Sequence, residues 1–295
     1  IGTVFAFSGQ MAQFVPEGTG ARFVMDFADV DSAKFEAYGE EGGAMAPVHR
    51  REGRMLAAFE KAVAERADVS LFVSEAEAEL FRRRSGLRGA DIRALQNGVD
   101  LDYFDPEAIF EPPLPRKAGE GVVGDSPLIV FTGQMDYAPN VDAVRWFAGE
   151  VMPMLPEARF AIVGRKPAPA VLRLAGPRTI VTGAVPDVRA WLAAADVVAA
   201  PLRIARGIQN KVLEAMAMAR PVVATPAAFE GIEAEPGRHL LVAESAEAQA
   251  EAIAGLLADR ARAEAMGLAA RRRIEQAYRW EARLAPLAGL VGIAP

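Results

Sequence analysis

Lys211 and Glu214 lie three residues apart in the segment Pro201–Thr225, which reads PLRIARGIQNKVLEAMAMARPVVAT. This pattern predicts a basic loop, a short helix and then an apolar strand, so the helix begins at the mouth of a parallel sheet. Backbone N–H groups at such a helix start favour phosphate, and residues three apart share one helix face. A cation for a diphosphate and a carboxylate for ribose hydroxyls would therefore lie together, as a nucleotide-sugar requires.

The same segment carries a cluster of basic residues, Arg203, Arg206 and Lys211, with no acid before Glu214. Such clusters are usually solvated loops. Because this loop leaves the apolar run VVAAPL, and therefore a sheet edge, we favour a diphosphate site. An ion pair of Glu214 with Lys211 or Arg220 on the helix surface is the alternative.

Three successive predicted strands end in glycine turns: Gly133 in FTGQMDYAPN, Gly164 in IVGRKPAP and Gly183 in TGAVPD. Glycine lets the backbone approach a ligand at the carboxyl edge of a sheet. A plain strand–turn–helix corner with Asn140 as N-cap is the alternative for the first turn. Arg165, in the second turn, is either a ligand of the phosphates or a solvated loop residue.

Two D-x-D patterns, at Asp29–Asp31 and Asp100–Asp102, match a motif by which some transferases hold a divalent metal on a sugar-nucleotide. Because the pattern has only three residues and occurs twice in this chain, it is weak evidence for a metal site. Asp29 and Asp31 follow the predicted strand RFVMDF, so we expect them at a sheet edge beside the space between two lobes. They are candidate catalytic residues that would position an acceptor hydroxyl; capping of a helix by Asp31 is the alternative.

Composition excludes several classes of protein. The chain has 295 residues, a net charge of −6, no cysteine and two histidines, His49 and His239. The acidic balance argues against non-specific nucleic-acid binding, and disulfides, cysteine nucleophiles and His-rich metal sites are ruled out. No apolar run approaches the ~20 residues of a membrane span, and the first residues do not resemble a signal peptide. We therefore expect a cytoplasmic protein.

Short apolar runs alternate with helical patterns, which predicts an α/β fold with two doubly wound parallel-sheet lobes. Residues 113–126 combine proline, glycine and charge without periodicity and predict a linker between lobes at 1–112 and 127–278. The first lobe shows only three strands, and its first strand has no preceding helix. We expect that N-terminal βαβ units are missing and that the chain is a fragment. The predicted strands are Thr3–Phe7, Arg22–Phe27, Val69–Ser74, Leu128–Thr132, Arg159–Val163, Thr179–Val181, Asp196–Ala199, Pro221–Ala224 and His239–Val242.

Several motifs together resemble the retaining glycosyltransferase family 4 (group 1) enzymes: IVG, TGAVPD, LEAMAMARPVVAT, and NGVD followed by FDP. More narrowly, DFADVDSAKF, SLFVSEAEAELF, FTGQMDYAPNVDAV and PLRIARGIQNKVLEAMAM are similar to sugar transferases of bacterial PEP-CTERM/exosortase exopolysaccharide systems. The resemblance covers essentially the whole chain. It implies a GT-B architecture, with the acceptor side at 1–112, the nucleotide-sugar site at 127–278 and a final helix, 279–295, packing back on the first lobe.

The resemblance also implies residue roles. The family signature has two glutamates flanking seven residues, the first of them in E-G-F-G; Glu214 matches the second, but Arg206 stands in place of the first. Lys211 and Arg206 would bind the phosphates, Glu214 the ribose, and the backbone of Gly183–Val185 the base. The full donor-binding set is Gly133, Gly164, Arg165, Gly183, Val185, Arg203, Arg206, Gly207, Lys211 and Glu214.

These observations predict a metal-independent retaining glycosyltransferase that moves a hexose-type sugar from a nucleotide diphosphate-sugar to a glycan or lipid-linked glycan. The donor is a substrate, and neither cofactor nor nucleic acid is expected; exopolysaccharide synthesis and peripheral association with the inner face of the membrane follow from the resemblance. Two other classes stay open. A sugar-nucleotide epimerase of the same fold would need acid/base pairs around the sugar, and a non-catalytic two-lobed binding module would take free sugar.

Overall fold

The chain forms two α/β units, each built on a parallel sheet. The computed structural model describes residues 1–18, 20–40, 42–108, 110–111, 126–205 and 207–292. One unit consists of Ile1–Gly98 with Trp280–Pro295, and the other of Val99–Arg279. The predicted α/β fold with two parallel-sheet lobes is therefore confirmed. The predicted linker, 113–126, lies outside the described residues except for Ser126.

The first unit contains a four-stranded parallel sheet and helices that connect its strands. Its elements are β1 (Thr3–Phe7), β2 (Arg22–Ala28), α1 (Asp31–Glu40), α2 (Ala46–Arg66), β3 (Val69–Phe72), α3 (Glu75–Ser85) and β4 (Ile92–Ala94). The strand order is β1-β2-β3-β4. A helical hairpin, α1 and α2, connects β2 to β3, and α3 connects β3 to β4. Strand β3 is buried along its whole length, as expected for an inner strand of a covered sheet.

Local sequence explains the ends of helix α3. The Ser74 hydroxyl accepts a hydrogen bond from the backbone N–H of Glu77, and Glu75 and Glu77 place negative charge in the first turn. Three arginines occupy the last turn, and Gly86 ends the helix with φ 64°, where glycine is favoured. Because Ser74 caps this helix, the predicted strand Val69–Ser74 ends earlier, at Phe72.

The second unit contains a six-stranded parallel sheet. Its strands are β5 (Leu128–Thr132), β6 (Arg159–Val163), β7 (Thr179–Gly183), β8 (Val197–Ala200), β9 (Val222–Ala224) and β10 (Leu241–Val242). They lie in the order β10-β9-β8-β5-β6-β7, so the chain starts at the centre with β5, extends through β6 and β7 on one side, and then returns to β8, β9 and β10 on the other. Its helices are α4 (Ala138–Trp146), α5 (Pro169–Leu172), α6 (Val188–Ala194), α7 (Asn210–Ala217), α8 (Pro226–Phe229), α9 (Ala246–Ala258) and α10 (Arg260–Ala277).

This strand order creates a topological switch point between β5 and β8, where helices leave the sheet in opposite directions. Ligands of open α/β sheets bind in the crevice outside the carboxyl ends of the strands at such a point. Every residue of β5 and β8 is buried, so the two central strands form a rigid base beneath the loops that follow them.

A final helix, α11 (Trp280–Leu290), belongs to the first unit, although it follows the second along the chain. Leu290 packs in an apolar cluster with Val24, Val69 and Leu71 of strands β2 and β3. The Arg22 guanidinium donates a hydrogen bond of 2.6 Å to the Leu290 carbonyl. This helix therefore covers one face of the first sheet.

The nine predicted strands are all present, with ends that differ by up to two residues. Strand β4 was not predicted because Ile92–Ala94 is short and has one buried, one exposed and one half-buried side chain. Helix α1 was indicated only by the alternative in which Asp31 caps a helix. Only two of its ten residues are buried non-glycine residues, Ser32 and Ala33, so the helix has almost no apolar periodicity.

Candidate functional site

A cavity of about 580 Å³ opens at the carboxyl ends of the strands in the second unit. The loops after β5, β6 and β7 form part of its wall, and the start of helix α7 completes it. It therefore occupies the switch-point crevice. The lining residues are Thr132, Gly133, Gln134, Tyr137, Asn140, Val163, Gly164, Arg165, Ala184, Val185, Val188, Ile208, Gln209, Asn210, Lys211 and Glu214.

Two of the predicted glycines are required by a close approach between neighbouring loops. A Cβ atom on Gly164 would lie 1.7 Å from the carbonyl oxygen of Gly133. A Cβ atom on Gly133 would lie 2.7 Å from Nδ2 of Asn140 and 3.2 Å from Nζ of Lys211. No side chain fits at either position without displacing backbone or polar groups. Both positions therefore require glycine if the neighbouring loops are to stay this close together.

Lys211 is the second residue of helix α7 and projects into the cavity wall. Its Nζ atom donates a hydrogen bond of 2.5 Å to Oδ1 of Asn140 and lies 4.4 Å from the ring centroid of Phe131. Burial lowers the pKa of Lys211 to about 7, although the negative charge of Glu214 opposes this shift. Near pH 7 both the charged and the neutral form of the amine are therefore populated, and an anion that binds nearby favours the charged form.

Asn140 is not the N-cap that its sequence context suggested. Helix α4 begins at Ala138, with Tyr137 as the N-cap and proline in the first turn. Asn140 is the third residue of the helix, is 5% exposed, and donates from Nδ2 to the carbonyl of Gln134 at 2.9 Å. Pro139 is the signal that the prediction overlooked, because proline is favoured at the first positions of a helix.

Glu214 lies one helical turn after Lys211 and faces the same cavity. Burial raises the pKa of Glu214, and the positive charge of Lys211 partly offsets this. Both side chains are half-buried. Within the described part of the chain, no ion pair within 4.0 Å joins Glu214 to Lys211 or Arg220, although the charges of Glu214 and Lys211 act on each other. The Glu214 carboxylate remains able to accept hydrogen bonds from a ligand.

Arg165 and Val185 also line the cavity, on the turns after β6 and β7. The Arg165 guanidinium donates to Oε1 of Gln134 at 2.9 Å and, among the described residues, forms no ion pair with a carboxylate. Gly183 has φ 69° and ends strand β7 just before Ala184 and Val185. A left-handed residue at this position turns the chain so that the next two residues reach the cavity.

Among the described members of the predicted donor set, Gly183, Arg203 and Gly207 do not line the cavity. Arg203 is held by Asp142 of helix α4, with guanidinium nitrogens 2.5 and 3.0 Å from its two carboxylate oxygens. Gly207 has φ 64° and lies just before the lining residue Ile208. Arg206 lies outside the described residues. Roles for these residues in donor binding stay predictions.

Asp29 and Asp31 belong to the first unit, at the carboxyl end of β2. Asp29 is exposed at the surface, but the protein atoms around it partly desolvate the carboxyl group and raise its pKa to about 6, and the negative charge of Glu77 adds to this. Asp31 is the first residue of helix α1 and lies 3.5 Å from Lys34. For Asp31 this geometry favours the helix-start interpretation, since negative charge stabilises a helix N-terminus.

Sequence reasoning missed the polar residues that complete the cavity. Gln134, Asn140, Gln209 and Asn210 are uncharged, so their residue types indicate no ligand, and only the topology identifies them as neighbours. Each follows the carboxyl end of β5 or β8, and that position was the available signal.

Neither histidine is part of the cavity. His49 packs against the rings of Phe35 and Tyr38 in the first unit. Nδ1 of His239 accepts a hydrogen bond from the backbone N–H of Glu235, in the turn before β10 rather than at the start of the strand.

The described residues contain neither a metal-binding cluster nor a helix that could span a membrane. No group of three or more His, Asp and Glu side chains there is arranged to hold a metal ion. Equally, none of the helices described is both long and apolar enough to pass through a bilayer.

The cavity lies within a segment that matches a known family. The family described as glycosyl transferases group 1 matches residues 126–259. The GDP-mannose-dependent alpha-(1-6)-phosphatidylinositol monomannoside mannosyltransferase of Mycolicibacterium smegmatis is 30% identical over 268 residues, which cover 85% of this chain and 67% of that protein. The chain belongs to the group 1 glycosyltransferases. It is therefore a glycosyltransferase enzyme, as predicted, and the switch-point cavity is the candidate active site of this glycosyltransferase.

Solved structures support the fold of this glycosyltransferase. Sucrose-phosphate synthase from Thermosynechococcus elongatus has a TM-score of 0.75 and 20% identity, covering 98% of this chain and 72% of that one. Anabaena HepE in complex with UDP has a TM-score of 0.72 and 15% identity, covering 99% of this chain and 79% of that one. At these identities the likeness concerns the fold alone, and it agrees with the predicted GT-B class.

Proposed function

We propose that this glycosyltransferase uses a nucleoside diphosphate-hexose as donor and that the switch-point cavity binds its nucleotide. The observation that carries the proposal is the convergence of two cations, Lys211 and Arg165, with the start of helix α7 on one cavity. Among the described residues, neither cation has a carboxylate oxygen within 4.0 Å, although the charge of Glu214 acts on Lys211. Elsewhere in the same unit, Arg203 and Arg189 are held by aspartates, whereas Lys211 and Arg165 line the cavity.

Different residues of the cavity would bind different parts of the donor. Lys211, Arg165 and the N–H groups at the start of α7 would bind the diphosphate. Glu214 would accept hydrogen bonds from the ribose hydroxyls, and the backbone at Ala184 and Val185 would contact the base. The mycobacterial relative is named for GDP-mannose and HepE was solved with UDP, so both nucleotides are reasonable first probes.

These residues suggest how the transfer proceeds. As the anomeric bond breaks, negative charge develops on the leaving diphosphate, and fixed cations stabilise that charge more in the transition state than in the ground state. The protonated form of Lys211 becomes more stable as this negative charge grows. We propose that the reaction retains the anomeric configuration, as the family resemblance implies. We also propose that it needs no metal ion, since Lys211 and Arg165 would supply positive charge beside the phosphates.

The acceptor side is proposed for the first unit, where Asp29 remains the candidate for positioning an acceptor hydroxyl. Its raised pKa would allow it to exchange a proton near neutral pH. A glycan or lipid-linked glycan acceptor is supported by the mycobacterial relative, whose name specifies a phosphatidylinositol mannoside. A role in exopolysaccharide synthesis, peripheral contact with the inner membrane face and the PEP-CTERM/exosortase association are proposals that follow from the sequence motifs.

A ligand screen and a product assay test this function together. Thermal-shift measurements with UDP, GDP, mannose and glucose should show stabilisation by a nucleotide and none by free sugar. Stabilisation by free sugar alone would favour a binding module. Incubation of the protein with UDP- and GDP-hexoses without acceptor should leave the sugars unchanged apart from slow hydrolysis, whereas an epimerised sugar would contradict transferase activity. With a mannoside or glucoside acceptor, proton NMR of the product should show the anomeric configuration of the donor.

A further inference from the structure

The amide of Asn140 links the glycine turn after β5 to Lys211. It donates from Nδ2 to the Gln134 carbonyl at 2.9 Å and accepts at Oδ1 from Lys211 at 2.5 Å. The orientation of the amide follows from its partners, because a backbone carbonyl can only accept a hydrogen bond. The oxygen must therefore face Lys211, and the two bonds hold the amide between elements that are far apart in sequence.

Nothing else in the helix requires an asparagine at this position. The backbone N–H of Asn140 donates to the Tyr137 carbonyl at 3.0 Å, and the side chain does not cap helix α4. Asparagine is among the weaker helix formers and is costly to bury without partners. The buried amide of Asn140 is hydrogen-bonded to Gln134 and Lys211. These contacts at the cavity therefore account for an asparagine at this position.

Lys211 needs such support to present a fixed charge. A lysine side chain has four rotatable bonds and loses rotamer entropy when it is held in one position. The ring of Phe131 restricts the amine from one side at 4.4 Å, and the missing side chain of Gly133 leaves the space in which amine and amide meet. The hydrogen bond to Oδ1 of Asn140 fixes the direction of the Lys211 amine, which neither the Phe131 ring nor the space beside Gly133 can do.

We propose that Asn140 is a positioning residue that fixes the Lys211 amine at the diphosphate subsite of the cavity. The inference rests on the proposed function for the identity of the ligand, but the contact itself exists without ligand. Asn140 does not touch the reacting atoms; it acts through Lys211. Its removal should therefore weaken nucleotide binding only when Lys211 is present.

A nucleotide-free measurement tests the positioning. In protein labelled with ¹³C-lysine, the two Hε protons of Lys211 should have distinct shifts in the wild type, because a held side chain places them in different environments. Asn140→Ala should merge them, whereas Arg145→Ala, an exposed residue on the same helix, should leave them distinct. Distinct Hε shifts that persist in folded Asn140→Ala would overturn the proposal.

A double-mutant cycle tests the consequence for binding. Asn140→Ala should weaken UDP or GDP binding about tenfold, as expected for a hydrogen bond to a charged group, and should have no effect in the Lys211→Met background. An equal loss in both backgrounds would overturn the proposal. If the wild type bound neither nucleotide, the proposed function would fail, while the lysine shifts would still decide whether Asn140 positions the amine. Circular dichroism and thermal unfolding of each variant separate these effects from loss of folding.

Discussion

Gly164 lies so close to Gly133 that a Cβ atom on it would be 1.7 Å from the Gly133 carbonyl oxygen. The loops after β5 and β6 must therefore separate if a side chain is introduced. We predict that Gly164→Ala lowers the free energy of unfolding by about 1–3 kcal/mol, the usual cost of overpacking, and abolishes nucleotide binding. Urea unfolding and calorimetry check the two parts.

The matched control for this change is Gly255→Ala in helix α9, where an added Cβ meets nothing within 4 Å. Alanine is the better helix former, so this variant should gain about 0.5–1 kcal/mol of stability. Gly164→Ala with unchanged stability and binding would show that the loops part easily and that the close approach is not required.

The charge state of Lys211 should control the pH dependence of donor binding. With its pKa lowered to about 7 by burial, the amine loses its proton as pH rises from 6 to 8.5, so affinity for UDP or GDP should fall over this interval. Lys211→Arg keeps its charge at all these pH values and controls for ionisation of the phosphate itself. The ratio of wild-type to Lys211→Arg affinity should decline with pH, and a constant ratio would contradict the role of the proton.

Two arginines should differ in their effect on binding. Arg165 lines the cavity and forms no ion pair among the described residues, whereas Arg203 forms a two-pronged pair with Asp142. We predict that Arg165→Ala weakens nucleotide affinity about tenfold, within the range for charge-assisted hydrogen bonds, and that Arg203→Ala changes it less than twofold. The opposite order would support the initial sequence hypothesis that Arg203 binds donor.

Asp29 should influence stability as well as catalysis. Burial raises its pKa to about 6 in the folded protein, so the folded state binds protons more strongly than the unfolded state. The resulting stabilisation is fully present below about pH 4 and is lost as pH rises through 6. Asp29→Asn should therefore be more stable than the wild type at pH 7 and show a weaker pH dependence between 4 and 6.

Urea unfolding across that pH range measures the effect, with the exposed Asp102→Asn as the control. Identical pH dependence in wild type and Asp29→Asn would show that Asp29 titrates normally. If Asp29 also positions the acceptor, Asp29→Asn should lower kcat with little change in donor affinity.

Periodicity alone predicted much of this fold. Strands such as Leu128–Thr132 and Arg159–Val163 are continuous apolar runs bounded by glycine turns, and their predicted ends agree with the structure. The cavity followed from the same pattern, because parallel strands bring their carboxyl ends to one edge. Lys211 and Glu214 were identified by charge and helical spacing.

The remaining parts of the site depend on contacts that a linear pattern does not contain. Asn140 pairs with a lysine 71 residues later, and the partner of Arg203 lies 61 residues earlier. A neutral amide carries no signal of its own, and a basic cluster does not reveal which cations are already paired. Tertiary structure was needed to separate Arg165 from Arg203.

Calorimetric titration of GDP and UDP into wild-type protein and Lys211→Met at pH 6.5 tests the central claim most directly. The wild type should bind at least one of the two nucleotides, and Lys211→Met, with similar shape but no charge, should bind it at least tenfold more weakly, as expected for loss of a buried charge-assisted contact. Equal affinity in a folded Lys211→Met protein would contradict the placement of the diphosphate at this lysine.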